Sequence, residues 1–315
     1  TNKTTAWLKG GNIKLNDKAN LHYDGLLKGV LKEYNFVDGF WLGQKLSLSV
    51  NTNKTDKLII SPSAYYTTVR KTPVWEVNSS YNYAPLANGK FSFSFGNTSS
   101  DIQNTQGTSR TLNAISSLFF GDNVIRFYQK QYIKVENDID IANGLVLNIG
   151  ASNEKRQILN NTTNLHFFGN NPHPNYPDVN YLNTFFPQHS STTAWLRFQY
   201  TPFYKYKIRD GKKQYISSDF PSFGFGYKKA FSIGNTAEQS SYSVFQANIF
   251  QSLKLDEFNH LNYRIIAGTF LSKQKLFAPD YKYFATSPLI VDLKSFDNTF
   301  QLLDNYSFSK SSWLE

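Results

Sequence analysis

The chain has 315 residues, 40% of them hydrophobic, 17% aromatic and 18% charged, and carries a net charge of +10. Cysteine and methionine are both absent, which excludes disulfides, zinc-thiolate sites and thiol nucleophiles. No stretch approaches the roughly 18 apolar residues of a membrane helix, the longest runs resembling Ile265-Ile266-Ala267-Gly268-Thr269-Phe270-Leu271.

Residues 1–35 read as a linker or lead-in segment, in which Trp7-Leu8-Lys9-Gly10-Gly11 and the stretch from Leu26 to Leu31 suit a short helix or linker. No signal peptide precedes Thr1, so the sequence reads as an internal piece of a longer exported protein. From residue 36 onward one pattern repeats. Phe40–Val50 is mostly apolar at even positions and small or polar at odd ones, which gives a strand one greasy and one wet face. Further alternating segments follow at Lys57–Val69, Val74–Ala84, Lys90–Thr98, Val124–Ala142, Leu145–Ala151, Thr192–Lys207, Phe223–Tyr227, Ser243–Leu255 and Leu261–Leu271, with a last one near Thr299–Phe308. Pro62 and Pro202 fall inside this pattern, where each marks a bulge or a weak strand.

The connections alternate in length. Asn143-Gly144, Arg209-Asp210-Gly211 and Asp256–His260 are short, and Asn143-Gly144 suits a type I′ hairpin turn. Ser99–Asn123, Lys155–Ser191, Phe231–Tyr242 and Ser272–Asn298 are long. Transmembrane barrels have short periplasmic turns, long outer loops and interfacial aromatic girdles, which the 27 Phe and 20 Tyr would supply. The expected fold is all-β: an antiparallel transmembrane β-barrel over residues 36–315, about eleven or twelve strands of an even-numbered total, stopping before closure.

No residue stands out as catalytic, cofactor-binding or metal-ligating. The histidines are His22, His166, His173, His189 and His260; Asn171-Pro172-His173-Pro174 reads as a rigid loop with exposed imidazoles rather than a metal site. Glu136, Asp138 and Asp140 share one strand face at period two, as a polar lumen requires, with Arg126, Lys130 and Lys134 as their expected cross-strand partners. Phe223-Gly224-Phe225-Gly226-Tyr227 reads as a thin wall where a neighbour approaches closely, not a nucleotide loop. Phe203-Tyr204-Lys205-Tyr206-Lys207 suits an interfacial girdle beside a turn better than a nucleic-acid platform. The apolar loop Ser272–Asn298 is expected either to fold at least partly inward or over the mouth, with Asp280 and Asp292 facing cations such as Arg264, or to pack on its neighbours above the membrane.

Several blocks resemble one family. Tyr34-Asn35-Phe36-Val37-Asp38-Gly39-Phe40-Trp41-Leu42-Gly43, Pro62-Ser63-Ala64-Tyr65-Tyr66-Thr67-Thr68, Asp219–Tyr227 and Asn305-Tyr306-Ser307-Phe308 are similar to blocks of outer-membrane barrel proteins of Bacteroidetes-type bacteria. In that family a carboxypeptidase-regulatory-like β-sandwich precedes a barrel with no assigned function. The resemblance implies a distant relationship to the outer-membrane assembly and secretion barrels, which have about sixteen strands. Those carry an Arg-Gly-Phe motif on a loop inside the lumen; Ser272–Asn298 lacks it.

The function expected from these readings is non-enzymatic: an integral outer-membrane component for transport or membrane assembly. Its partners would be outer-membrane lipid, lipopolysaccharide and periplasmic or outer-membrane proteins, with no nucleic acid and no cofactor. The rivals are a TonB-dependent-type uptake barrel, which needs an upstream plug, a soluble all-β binding protein, which needs a buried core in place of a lipid-facing belt, and an outer-membrane enzyme.

Overall fold

Period-two alternation produces long antiparallel strands joined mostly to their sequence neighbours. The computed structural model describes residues 8–26, 30–103, 108–169, 172–175, 186–234, 238–256, 259–286, 300 and 303–315. The chain opens with β1 (Gly11–Lys14), β2 (Ala19–Tyr23), β3 (Leu31–Asn35) and β4 (Gly39–Asn51). β5 (Lys57–Thr67), β6 (Pro73–Tyr83) and β7 (Gly89–Asp101) follow, then helix α1 (Arg110–Phe120). Next come β8 (Phe127–Ala142), β9 (Leu145–Ile158), β10 (His189–Tyr200), the hairpin β11 (Lys205–Arg209) and β12 (Lys212–Ser217), β13 (Ser222–Phe231), β14 (Ser241–Lys254) and β15 (His260–Lys275). β16 (Lys282–Tyr283), β17 (Phe308–Ser309) and β18 (Ser312–Leu314) are short.

One sheet holds 14 strands in the order β1-β2-β4-β5-β6-β7-β8-β9-β10-β13-β14-β15-β18, with β3 beside β4. Every pairing in it is antiparallel. Its edge strands β1 and β18 are not paired with each other, so the sheet is open among the described residues.

The register carries each strand's apolar residues onto one face. One row runs Leu48, Ile60, Ser79, Phe93, Val135, Ala151 and Ala194 across seven strands. A second runs Tyr81, Phe91, Asn137, Ile149, Leu196, Tyr227, Phe245 and Thr269. A one-residue slip anywhere would put these side chains on the opposite face, so the agreement over many pairings is a property of the whole sequence. This apolar face is open: Leu42 is 39% exposed, Leu46 38% and Ile149 50%. The opposite face holds Ser47, Ser61, Glu76, Tyr132, Lys134, Glu136, Asn148 and Arg197, with hydrogen bonds such as Ser47 to Ser61 at 2.9 Å and Tyr132 to Glu76 at 2.9 Å. On that polar face, tryptophans fill the space above glycines. A Cβ on Gly150 would come within 2.2 Å of the Trp195 ring, and one on Gly268 within 2.1 Å of the Trp313 ring.

Several expectations need correction. Residues 1–35 are not merely a linker: β1, β2 and β3 lie there and pair into the main sheet through β4. These short strands alternate too briefly to be legible, and with β18 they raise the count above the expected eleven or twelve. Of the strand expected near Thr299–Phe308, only Phe308 is in a strand among the described residues; Asn305 and Tyr306 form a turn, β17 begins at Phe308 and β18 follows. β10 ends at Tyr200, so Pro202 lies outside it, whereas Pro62 sits within β5 opposite Val77. The Asn143-Gly144 turn is not type I′, because Asn143 keeps a negative φ; Gly144 alone is left-handed and a register shift follows Asp140. Asp210-Gly211, with φ of 52° and 73°, has the I′ signature instead, at the tip of a hairpin that stands apart from the sheet.

Candidate functional site

The chemistry of this chain lies on the polar face and at the sheet end where the long connections gather. Loops there reach across several strands. Tyr34 donates to the Leu165 carbonyl at 2.5 Å, Thr162 to the Val37 carbonyl at 2.6 Å, and Tyr306 to the Val124 carbonyl. A core of Ile102, Tyr128, Phe186, Phe277, Ala278, Tyr281, Tyr283 and Tyr306 draws on the connection after β7, on β8, on the connection before β10 and on the segment after β15. Such reach requires the sheet to curl toward its polar face.

The segment after β15 is anchored by Asp280, whose side chain is 0% exposed. It closes a single 3₁₀ turn, Ala278–Asp280, and accepts from Arg156 Nη1 at 2.6 Å, Ser240 Oγ at 2.6 Å and the Phe277 amide at 3.2 Å. Arg156, on β9 and 5% exposed, also donates from Nε to Glu154 at 2.8 Å. His189 stacks on Phe277, with ring centroids 3.9 Å apart, while its Nδ1 bonds to the Pro187 carbonyl. The expected loop Ser272–Asn298 begins inside β15, which runs to Lys275; from Leu276 onward, where it is described, it packs over the polar face. Its anchor is Arg156, however, not Arg264; Asp292 lies outside the described residues.

The Tyr34–Gly43 block builds a second anchor. Asn35 Oδ1 accepts the amides of Val37 and Asp38 at 3.0 and 2.8 Å, fixing a tight turn. Gly39 completes it with φ of 75°, where a Cβ would press on Val69 at 2.5 Å. Asp38 then accepts Trp41 Nε1 at 3.0 Å and Arg70 Nε at 2.6 Å. Beside it Glu33 forms a two-pronged pair with Arg110 of α1. Burial works against the Arg110 charge, but Glu33 outweighs it and raises the pKa above the usual arginine value. Burial also pushes the Tyr306 phenol well above its usual value.

At the short-turn end, Asp140 accepts from Asn88 at 2.9 Å, Tyr215 at 2.9 Å and Lys213 at 3.2 Å. Burial lowers the Lys213 pKa, yet the Tyr215 hydroxyl and Asp140 together raise it above the usual lysine range. Asp138 binds the Asn148 amide at 2.6 Å. Lys134 pairs with Glu136 at 2.6 Å along its own strand rather than across the sheet, while Arg197, 3.8 Å from the same carboxylate, spans it. Lys130 lies over the Tyr132 ring, 4.5 Å from its centroid. Arg126 is not on the wall: it lies in the connection before β8 and donates to the Pro174 carbonyl. These acids are thus held by fixed donors. A polar hollow of about 460 Å³ opens above Gly224 and Gly226, lined by Arg197, Gln199, Lys228, Gln246 and Asn248. The two glycines do thin the wall here: a Cβ at Gly224 would strike the Asn248 side chain at 2.4 Å.

The remaining histidines are dispersed. His22 contacts Asn12 and Asp24 at the sheet edge, His166 bonds to the Asn164 carbonyl, His173 presents its carbonyl to Asn123 and Asn161, and His260 starts β15. Among the described residues no three His, Asp or Glu converge as metal ligands. Phe203, Tyr204 and Tyr206 surround the off-sheet hairpin, Tyr204 stacking on Tyr215 at 4.3 Å. The Arg156–Asp280 and Glu33–Arg110 pairs escaped the sequence reading, since their members lie far apart in the chain and neither sits in a motif.

No curated protein sequence matches the chain. Residues 4–315 match the C-terminal domain of a family of unknown function, DUF5686, and the chain belongs to that family.

Proposed function

We propose that this domain is the wall of an outer-membrane β-barrel that serves transport or membrane assembly without catalysing a reaction. The observation that carries this reading is the register-aligned division of one long antiparallel sheet into a continuous open apolar face and a hydrogen-bonded polar face. A lipid bilayer satisfies the first face and an aqueous lumen the second. The alternation of connection length supports it, as do loops that fold across the polar face. A soluble binding protein would need a second layer over Leu42, Leu46 and Ile149, and none of the described elements supplies one. The segment anchored by Asp280 then lies over one mouth of the lumen and sets how open it is.

The absence of cysteine permits a direct test. Single cysteines introduced at positions 42 to 50 are labelled with a fluorophore in vesicles containing a lipid-borne quencher. Quenching at 42, 46, 48 and 50 and its absence at 45, 47 and 49 is the expected result. Equal quenching at odd and even positions refutes the reading.

A further inference from the structure

We propose that the apolar face carries a site for one anionic, phosphate-bearing membrane lipid, on the outer surface of β9, β10 and β13; this rests on the membrane reading above. A groove of about 580 Å³ crosses that surface. Its floor is the cross-strand pair Ala151 and Ala194, the smallest side chains in their row. Val135 and Phe91 form one wall, and Tyr227 and Phe231 the other. Ile149 and Leu196 continue it toward the short-turn end. The shape suits a single acyl chain lying along the strands.

The groove itself is apolar, and polar groups lie just beyond one end of it. Lys229 faces outward directly opposite Ala194, and its ammonium is folded over the Phe231 ring, 5.4 Å from the centroid. Phe231 pairs with Thr192, and Thr192 with Asn153. At this row, therefore, a hydroxyl and an amide, joined at 2.6 Å, replace apolar side chains. No carboxylate among the described residues pairs with Lys229. An unneutralised ammonium above an apolar groove, flanked by a hydroxyl and an amide, complements a phosphate headgroup attached to an acyl tail. The charge selects the occupant: a zwitterionic lipid offers the same tail but an additional cation.

The test uses the full chain in phosphatidylcholine vesicles with a trace of lipid bearing a photoreactive group in its acyl chain, either phosphatidic acid or phosphatidylcholine. Cross-linked residues are mapped by mass spectrometry. The expected result is labelling by phosphatidic acid concentrated on Ala151, Ala194 and Leu196, and labelling by phosphatidylcholine spread evenly over the apolar face. Lys229→Gln should reduce the phosphatidic acid labelling there about fivefold. Ala194→Phe should abolish it by filling the floor, with heat-modifiable gel mobility reporting that each variant is folded. Identical maps for the two lipids, or no change in folded Lys229→Gln, overturns the lipid site while leaving the membrane reading intact. Labelling of polar-face residues such as Arg197 and Gln246 in place of the apolar face overturns both.

Discussion

Replacing Asp280 by Asn removes one charge and little volume from the most enclosed ion pair among the described residues. The carboxylate accepts hydrogen bonds from Arg156, Ser240 and the Phe277 amide. Asn with its oxygen toward Ser240 and the Phe277 amide keeps both of those donors, but it turns its NH₂ toward Arg156 and leaves Arg156 with Glu154 alone. Breaking a buried pair at one partner costs about 3–5 kcal/mol, and the surviving Glu154 contact places this case near the lower end. A cost of about 3 kcal/mol corresponds to roughly a hundredfold increase in opening of the anchored segment. Hydrogen exchange of a peptide covering Leu276–Phe284 in the full-length chain measures that opening directly. The triple variant Glu154→Gln/Arg156→Met/Asp280→Leu removes all three charges of the cluster and should regain most of the protection, because well-packed neutral residues can replace buried charges. Unchanged exchange in Asp280→Asn would refute the anchoring role. Slow exchange in the single variant together with fast exchange in the triple would show that packing on Phe277, not the charge, holds the segment.

Further outcomes follow from the same geometry. Leu46→Lys should destabilise the protein in lipid by about 2–4 kcal/mol and Ser47→Lys by much less, as read from denaturant unfolding in vesicles. Gly268→Ala forces a methyl into the Trp313 ring and should cost about 1–3 kcal/mol, with a loss of tryptophan signal as the ring is displaced. Buried Tyr306 has a folded-state pKa raised above 10.0, so its contribution is complete below that value and is lost as pH rises above it. Alkaline titration followed by phenol absorbance should therefore show a late, cooperative step that Tyr306→Phe reduces in amplitude, the buried Tyr283 phenol contributing the remainder.

The strands of the wall were legible because their alternation is a local property enforced at every second residue. From Lys57 to Leu271 most expected segments fall within a few residues of the observed strands. Turn chemistry was less legible: Asn-Gly and Asp-Gly carry the same signal, and only the neighbouring register shift at Asp140 shows why the first takes another form. β1 and β18 escaped because four and three residues hold too few alternations to exceed chance. The loop-end anchors were illegible in principle. Glu33 and Arg110, or Arg156 and Asp280, meet only because the sheet curls, and nothing in either partner's local sequence specifies the other.

The small hairpin β11–β12 has a kinetic consequence. Its backbone and side chains touch the turns of several neighbouring hairpins: Lys213 N donates to the Pro85 carbonyl, Tyr215 accepts the Gly144 amide, and Gly211 lies against Thr55. Neighbouring strands of the sheet can pair in sequence order, each closing a short loop at small entropic cost. The hairpin's contacts instead join segments far apart in the chain, and none can form until Lys212–Ser217 has emerged. It acts as a late clasp. A variant that lacks it should assemble the early strands at the normal rate, but the turn end of the sheet should then come apart faster.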